Sequence, residues 1–308
     1  MNRLVRVLDS DVFYSFRTSP VAVVSAAVAA ICIFGAAFSH LIAPHNPFDL
    51  ASLSLMDSFK PPIFSGPVGG VDPDWSYPLG TDDQGRDVLS GIMYGAQISL
   101  IVGACAIVFA AVVGISVGLL AGYQGGIVDT LLMRIADIQL SFPAILIALL
   151  VDGVISAVLP RTVRENLELY VIIFAIGISL WPQFARTVRG STLVERGKDY
   201  VLAARVIGLS SVRIMASHIL PNVLGPVTII ATLNLGLAII NEATLSFLGV
   251  GLPPTQPSLG TLIRVGNDFL FSGEWWVTIF PGVALVLMVL SINLLGDWLR
   301  DALNPRLR

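Results

Sequence analysis

Charge-free apolar runs recur along the chain and are separated by short polar stretches. Each run approaches the roughly 20 residues that an α-helix needs to cross a hydrocarbon core of about 30 Å. The first lies within Thr18–Phe48, with its apolar core at Pro20–Ala43, and the second spans Gln97–Gly122. A third begins near Asp129 and runs through Ser141-Phe-Pro143 toward Asp152, interrupted by Arg134 and Asp137. A straight helix begun at Thr130, rising about 1.5 Å per residue, brings Asp152 to the far membrane boundary. Leu169–Ala185, Asn222–Leu248 and Trp275–Gly296 complete six predicted spans. The resulting organisation is a tail (1–19), a first transmembrane helix (20–43), an outer segment (44–96), a five-helix core (97–297) containing a polar loop (186–221), and a tail (298–308).

The distribution of charge orients these spans. An even number of spans puts both ends on one side. The amino tail, the Tyr123–Asp129 turn, the 186–221 loop and the carboxyl tail hold most of the 18 basic residues, among them Arg186, Arg189, Arg196, Lys198, Arg205 and Arg213. The 44–92 segment instead carries Asp49, Asp57, Asp72, Asp74, Asp82, Asp83 and Asp87 against Lys60 and Arg86. The positive-inside rule therefore predicts cytoplasmic termini. The apolar run after the basic start exceeds the 7–15 residues typical of a signal h-region, which predicts a retained helix.

Composition supports this class and removes others. Apolar residues are 55% of the chain and charged ones 13%, with a net charge of −3. That balance excludes a disordered chain and a nucleic-acid binder relying on a basic surface. Cys32 and Cys105 lie inside apolar runs, and His40, His45 and His218 are too scattered for a metal cage. Gly197-Lys198 is the only Gly-Lys pair, but Thr192 stands where a P-loop needs glycine and Asp199 where it needs Ser or Thr. No ATP site is expected on this chain.

The 186–221 loop carries the most specific pattern. Asp199 is placed to cap a short helix, Tyr200–Val206, where its carboxylate also suits the positive helix end. Gly208 then permits a turn, and a second amphipathic stretch, 210–219, leads to Pro221-Asn222 at the mouth of the fifth span. On physics alone this helix–glycine–helix elbow also reads as an interfacial segment lying on lipid headgroups.

Asp199-Tyr-Val-Leu-Ala-Ala-Arg-Val-Ile-Gly208, followed by His218-Ile-Leu-Pro-Asn222, resembles the EAA loop of binding-protein-dependent ABC importer permeases. The match covers Ala203, Ala204, Gly208 and Leu220-Pro221. It departs at Leu202, where the family usually has glutamate. Leu79-Gly-Thr-Asp-Asp-Gln-Gly-Arg-Asp87 with Ser90 and Tyr94-Gly95, Gly122-Tyr-Gln-Gly-Gly-Ile-Val-Asp129, and Asn241-Glu-Ala-Thr-Leu-Ser-Phe-Leu-Gly-Val-Gly251 are similar to dipeptide, oligopeptide and nickel permeases. Gly91 replaces the basic residue that this family often has after the serine. The four blocks together are most similar to the C-type second permease subunit of dipeptide and oligopeptide importers.

That resemblance implies an all-α polytopic membrane protein, the six-helix type I ABC importer permease, in a bacterial inner membrane. It implies half of a translocation path for dipeptides or oligopeptides, with no catalysis on this chain. Implied partners are a homologous B-type permease, one or two ATPase subunits holding ATP and Mg, an extracytoplasmic substrate-binding protein, and membrane lipid, with no nucleic acid. Asp199, Tyr200, Leu202, Ala203, Ala204, Gly208, Leu220 and Pro221 would couple the chain to the ATPase. A nickel–chelate importer is the alternative within the family. An ion-coupled secondary transporter is the rival outside it, although no internal repeat is evident.

Other residues are candidates on their own chemistry. Asn234, Asn241 and Glu242 lie on the fifth span, Glu242 about 30 Å from its cytoplasmic start. They are candidates for an outer gate or substrate path, or Glu242 is a carboxylate satisfied within a helix-to-loop turn. Asp82, Asp83, Arg86 and Asp87 would dock a binding protein or pair with one another. Ala106, Ala110, Gly114, Gly118 and Gly122 recur every four residues, which predicts close helix packing. Arg134 and Asp137 share a helix face and are expected to neutralise each other.

Overall fold

The computed structural model describes residues 11–49, 53–252 and 256–303. The outermost parts of both predicted tails, 1–10 and 304–308, lie outside the described residues. Ten principal helices follow in order: α1 Asp11–Thr18, α2 Pro20–Ala37, α3 Val88–Gln124, α4 Gly126–Leu140, α5 Ala144–Val158, α6 Arg161–Glu195, α7 Asp199–Val206, α8 Leu220–Phe247, α9 Leu259–Asn267 and α10 Trp276–Leu303. In lipid every backbone N–H and C=O needs an internal partner, which confines spanning segments to helices. Among the described residues the outer segment before α3 is largely irregular, with isolated bridges at Val68–Val71 and Thr81–Asp87.

Among the described residues, five helical stretches are long and apolar enough to cross a membrane, or six if a bent pair is counted as one span. The expected third span falls on that pair. α4 and α5 meet at 94° across Ser141-Phe142-Pro143, which corrects the expected straight helix through this point. Pro143 has no N–H to continue the ladder and disfavours helical geometry at Phe142. Asp152 is buried, at 8% exposed. Its carboxylate accepts a bond from the Ser156 hydroxyl at 3.3 Å.

α6 overruns the expected Leu169–Ala185 at both ends. The stretch 186–195, read from sequence as loop, is therefore helix. The fifth span also begins earlier than expected: a turn at Ser211–Ile214 and a π segment at Met215–Ile219 run directly into α8. Pro221 follows the π segment, whose wider winding is a place where the missing proline donor can be absorbed.

The chain forms two compact units. In the first, comprising residues 1–103, 165–169 and 239–308, α2 packs along α10. It buries small residues at Ala22, Ser25, Ala29 and Ala36. Phe16 of α1 meets Trp298 of α10 edge-on at 5.1 Å.

In the second unit, residues 104–164 and 170–238, the four-residue repeat of small side chains becomes a contact between α3 and α6. A Cβ on Gly114 would overlap that of Phe184. One on Gly118 would stand 2.6 Å from the Ala185 carbonyl oxygen, and one on Gly122 2.7 Å from the Thr192 Cβ. From the other side, Gly177 of α6 accepts Phe109 and Ala106 of α3. The stripe is thus a packing surface, as its spacing predicted.

The expected Arg134–Asp137 pair does not form. Asp137 faces Arg186 at 3.9 Å, since α6 brings that guanidinium alongside. Two other charges tie α6 to the α3–α4 turn. Arg189 makes a two-pronged pair with Asp129 at 2.5 and 2.7 Å, and Arg196 donates to the Gly122 carbonyl at 2.9 Å.

Gly118→Leu should lower stability by ~1–3 kcal/mol through overpacking. Gly153→Ala, which meets nothing within 4 Å, should be neutral. Thermal unfolding of the detergent-solubilised protein, followed by loss of the monodisperse species, compares the two. Equal melting of both variants would refute the packing role of the stripe.

Candidate functional site

The elbow is built by chain-local chemistry. Lys198 occupies the N-cap of α7, and its carbonyl accepts from Val201 and Leu202. Asp199 is therefore the first helical residue and makes no capping bond, which corrects its expected role. Its charge still suits the positive helix end. At the other end the Leu209 amide donates to the Ala204 carbonyl and Gly208 to Arg205. This is the Schellman arrangement, which needs a left-handed residue at the position of Gly208, where φ is +83°.

α7 is anchored by one face. Val201 and Ala204 are 0% and 3% exposed, so Ala204 packs inward and is not free to dock, contrary to expectation. Tyr200, Leu202, Val206 and Ile207 are exposed apolar side chains, and Ala203 lies among them on the outer face. Val206 and Ile207, which sequence reasoning missed, are the most exposed of the group. An apolar residue in an amphipathic stretch reads as buried until the anchored face is known. The base of the elbow is tied by polar contacts. Lys198 pairs with Glu195 at 2.6 Å, and the Tyr200 hydroxyl donates to Glu195. Asn222 donates to the Tyr200 oxygen at 3.0 Å and to the His218 carbonyl at 2.8 Å. Burial and the adjacent Glu195 carboxylate push the Tyr200 hydroxyl pKa up. Leu220 and Pro221 begin α8 just beyond this tie.

A second cluster surrounds Glu242, which is fully buried in the first unit. Ser99 of α3 donates to Oε2 at 2.6 Å, and Ser246 donates to Oε1 at 2.7 Å. Next to this cluster, the Ser258 oxygen caps α9 by accepting from the Thr261 amide. Close approach of the helices makes this possible. A side chain on Gly260 would collide with the Ala243 backbone, and one on Gly95 would sit 3.1 Å from the Leu259 amide. Gly249, φ +83°, ends α8 in the same Schellman fashion as Gly208.

The carboxylate is satisfied by side-chain hydroxyls of α3 and α8, so Glu242 ties these two helices together. Asn241 is half-buried beside it in sequence. Asn234, although buried, belongs to the other compact unit. The sequence held no signal for Ser99, which is 143 positions away.

The acidic turn of the outer segment is turned inward. Asp82 Oδ1 accepts from the Gln84 and Arg86 amides, both at 2.9 Å, and its Oδ2 pairs with Arg86 Nε at 2.6 Å. Asp87 caps α3, accepting from the Ser90 amide at 2.9 Å and hydroxyl at 2.5 Å. Trp276 locks the turn by donating from Nε1 to the Thr81 carbonyl at 3.0 Å. Asp82, Arg86 and Asp87 are only 5%, 7% and 2% exposed. They spend their hydrogen bonds within the fold and offer little surface for docking, so the expectation of docking through them is corrected. Asp83 keeps more surface, and burial together with Asp82 pushes its carboxyl pKa up. Nearby, Lys60 bridges Asp57 at 2.6 Å and Asp74 at 2.8 Å. The ammonium beside it lowers the Asp74 carboxyl to about 2, and the Asp57 and Asp74 carboxylates raise the Lys60 pKa in turn.

Two predictions follow from these contacts. Glu242→Ala leaves buried serine hydroxyls without their acceptor, which costs about 1–3 kcal/mol. Glu242→Gln keeps one acceptor oxygen and should melt between wild type and Glu242→Ala; wild-type melting of both would dismiss the tie. For the Lys60–Asp74 pair, a depressed carboxyl pKa contributes stability that is full above the unfolded value of 3.8 and lost as pH falls through about 2. Amide exchange in 54–87, corrected for intrinsic rates, should therefore stay level from about pH 7 to about pH 4. Opening already near pH 6 would contradict it.

Comparison with known proteins places this geometry. Residues 114–308 match the family described as binding-protein-dependent transport system inner membrane component. Residues 10–62 match the N-terminal transmembrane domain of oligopeptide transport permease C. The dipeptide transport system permease protein DppC of Escherichia coli (strain K12) is 38% identical over 97% of this chain and 93% of its own length. The protein of the same name from Haemophilus influenzae is 36% identical over 92% and 91%. The di/tripeptide transport system permease protein DppC of Pseudomonas aeruginosa is 35% identical over 90% and 86%. Among solved structures, a chain of the inward-facing MetNI methionine ABC transporter aligns with a TM-score of 0.51 at 22% identity, covering 68% of this chain and 94% of that one. That likeness supports the fold.

Proposed function

The chain belongs to the family of inner-membrane components of binding-protein-dependent transport systems, and from that premise we propose that it is the C-type permease subunit of an ATP-driven importer of dipeptides or oligopeptides. Its relatives of similar length carry dipeptide names, which supports peptides as the cargo. A homologous B-type permease would supply the other half of the path. One or two ATPase subunits, holding ATP and Mg, would meet the elbow, and a substrate-binding protein would deliver cargo from outside. Both termini are cytoplasmic in this reading, because basic residues concentrate on the elbow and tails while the outer segment is acidic.

The observation that carries the coupling role is the outward apolar face of α7. Its helix is held from behind by Val201 and Ala204, while Tyr200, Leu202, Ala203, Val206 and Ile207 remain uncovered by this chain. Exposed aliphatic groups on a charged cytoplasmic loop are the signature of a surface meant to be buried by another protein. Leu202, where the family usually has glutamate, fits within this apolar face. Docking therefore rests on apolar burial, and a charged contact at Leu202 is dispensable. Gly208 sets the direction in which the face points, and the Glu195–Tyr200–Asn222 tie transmits its displacement to α6 and α8.

Val206→Asp and Ala203→Glu should each reduce ATP-dependent uptake at least ~10-fold, since each buries an unpaired charge on docking. The chain should still reach the membrane. Gly208→Val forces a β-branched residue into left-handed geometry, at ~1–2 kcal/mol, and should uncouple ATP hydrolysis from uptake. Leu202→Glu, which puts in the acid the family usually carries at this position, should stay within ~twofold of wild type. Unchanged uptake in Val206→Asp and Ala203→Glu would defeat the coupling assignment.

A further inference from the structure

α4 carries a cation that its own unit does not neutralise. Arg134 is exposed two turns into the helix, and among the described residues no carboxylate pairs with it. Asp137, three positions on, is engaged with Arg186 at 3.9 Å, so the three charges together leave one positive. Arg134 lines an open cavity of about 480 Å³ with Gly126, Ile127, Thr130 and Leu131. Nothing stands within 4 Å of the place where a Gly126 side chain would be, so the floor of the groove is open there. Ile127, Leu131, Ile135 and Ile138 are exposed along the same helix.

An isolated guanidinium cannot rest in hydrocarbon without large cost. Helical side chains lean toward the helix N-terminus, and a long arginine carries its charge to the interface along its apolar stem. The head group of Arg134 thus lies over Thr130 and Gly126, toward the start of α4. In the orientation proposed above, on which this inference rests, that is the level of the cytoplasmic headgroups. A water-filled path would be lined by polar groups; this groove is walled by isoleucine and leucine. An apolar wall ending at a cation complements a lipid tail ending at a phosphate.

We infer that the groove between Gly126 and Arg134 seats one anionic phospholipid of the cytoplasmic leaflet, its phosphate on Arg134 and an acyl chain along Ile127 and Leu131. The headgroup would then fix the start of α4 next to the Asp129–Arg189 pair.

The test uses the whole transporter extracted in mild detergent, stripped of loose lipid and titrated with phosphatidylglycerol or phosphatidylethanolamine under native mass spectrometry. Wild type should bind phosphatidylglycerol in preference to phosphatidylethanolamine. Arg134→Gln should weaken phosphatidylglycerol binding roughly fivefold, the worth of one basic residue at an anionic surface. Arg134→Lys should retain part of it, and Arg213→Gln, which removes an exposed charge elsewhere, should retain all of it. Equal binding of both lipids, or unchanged binding in Arg134→Gln, would overturn the site. So would dissociation of a partner subunit in Arg134→Gln without any change in lipid, because the groove would then be a protein interface. A chain that purifies without partners counts against the transporter reading instead, and its lipid preference is still measurable.

Discussion

The close approach of α3 and α6 is the constraint on which the second unit depends. Gly114, Gly118 and Gly122 let the two backbones meet where any side chain would hold them apart. In hydrocarbon the association of helices gains little from burial of apolar groups, so packing of small residues and a few polar ties must supply it. The same contact runs on into polar ties near the carboxyl end of α6. Gly122 accepts from Arg196, Asp129 holds Arg189, and Tyr123 stacks beneath Arg205 of α7 at 4.8 Å. The elbow is thus seated by the end of the glycine row.

In the first unit a buried carboxylate has the corresponding organising role. Glu242 gathers hydroxyls from α3 and α8, and glycines on α3 and α9 let the surrounding helices approach closely. Trp276 performs a similar service nearby, joining the start of α10 to the turn before α3. Each of these ties links segments far apart in sequence. Each also uses a polar group in surroundings where an unpartnered one would be costly.

How much of this was legible in the sequence depends on the range of the interaction. The short helix of the elbow and its left-handed Gly208 were readable because they are local events. The N-cap instead fell to Lys198, and the outward face of Val206 and Ile207 depended on which side is anchored. The four-residue spacing of small side chains announced the α3–α6 contact without naming Phe184 or Ala185 as the opposing surface. Pro143 was visible, yet the apolar content on both sides concealed the break it makes. The acidic turn looked like surface, since nothing in 79–87 reveals that Trp276 closes over it. Asp137 was assigned its neighbour Arg134, because the register of α6, which brings Arg186 alongside, is set by glycines elsewhere. Local chemistry and periodicity were therefore readable, whereas partners across helices were not.

The central claim is that this chain works as one membrane half of an assembly powered by separate ATPase subunits. Purification of the tagged chain in mild detergent, with mass identification of everything retained, tests it most directly. The account predicts a second, homologous permease together with one or two ATPase subunits. A chain that purifies alone, and that transports substrate alone in liposomes under an ion gradient, would contradict it.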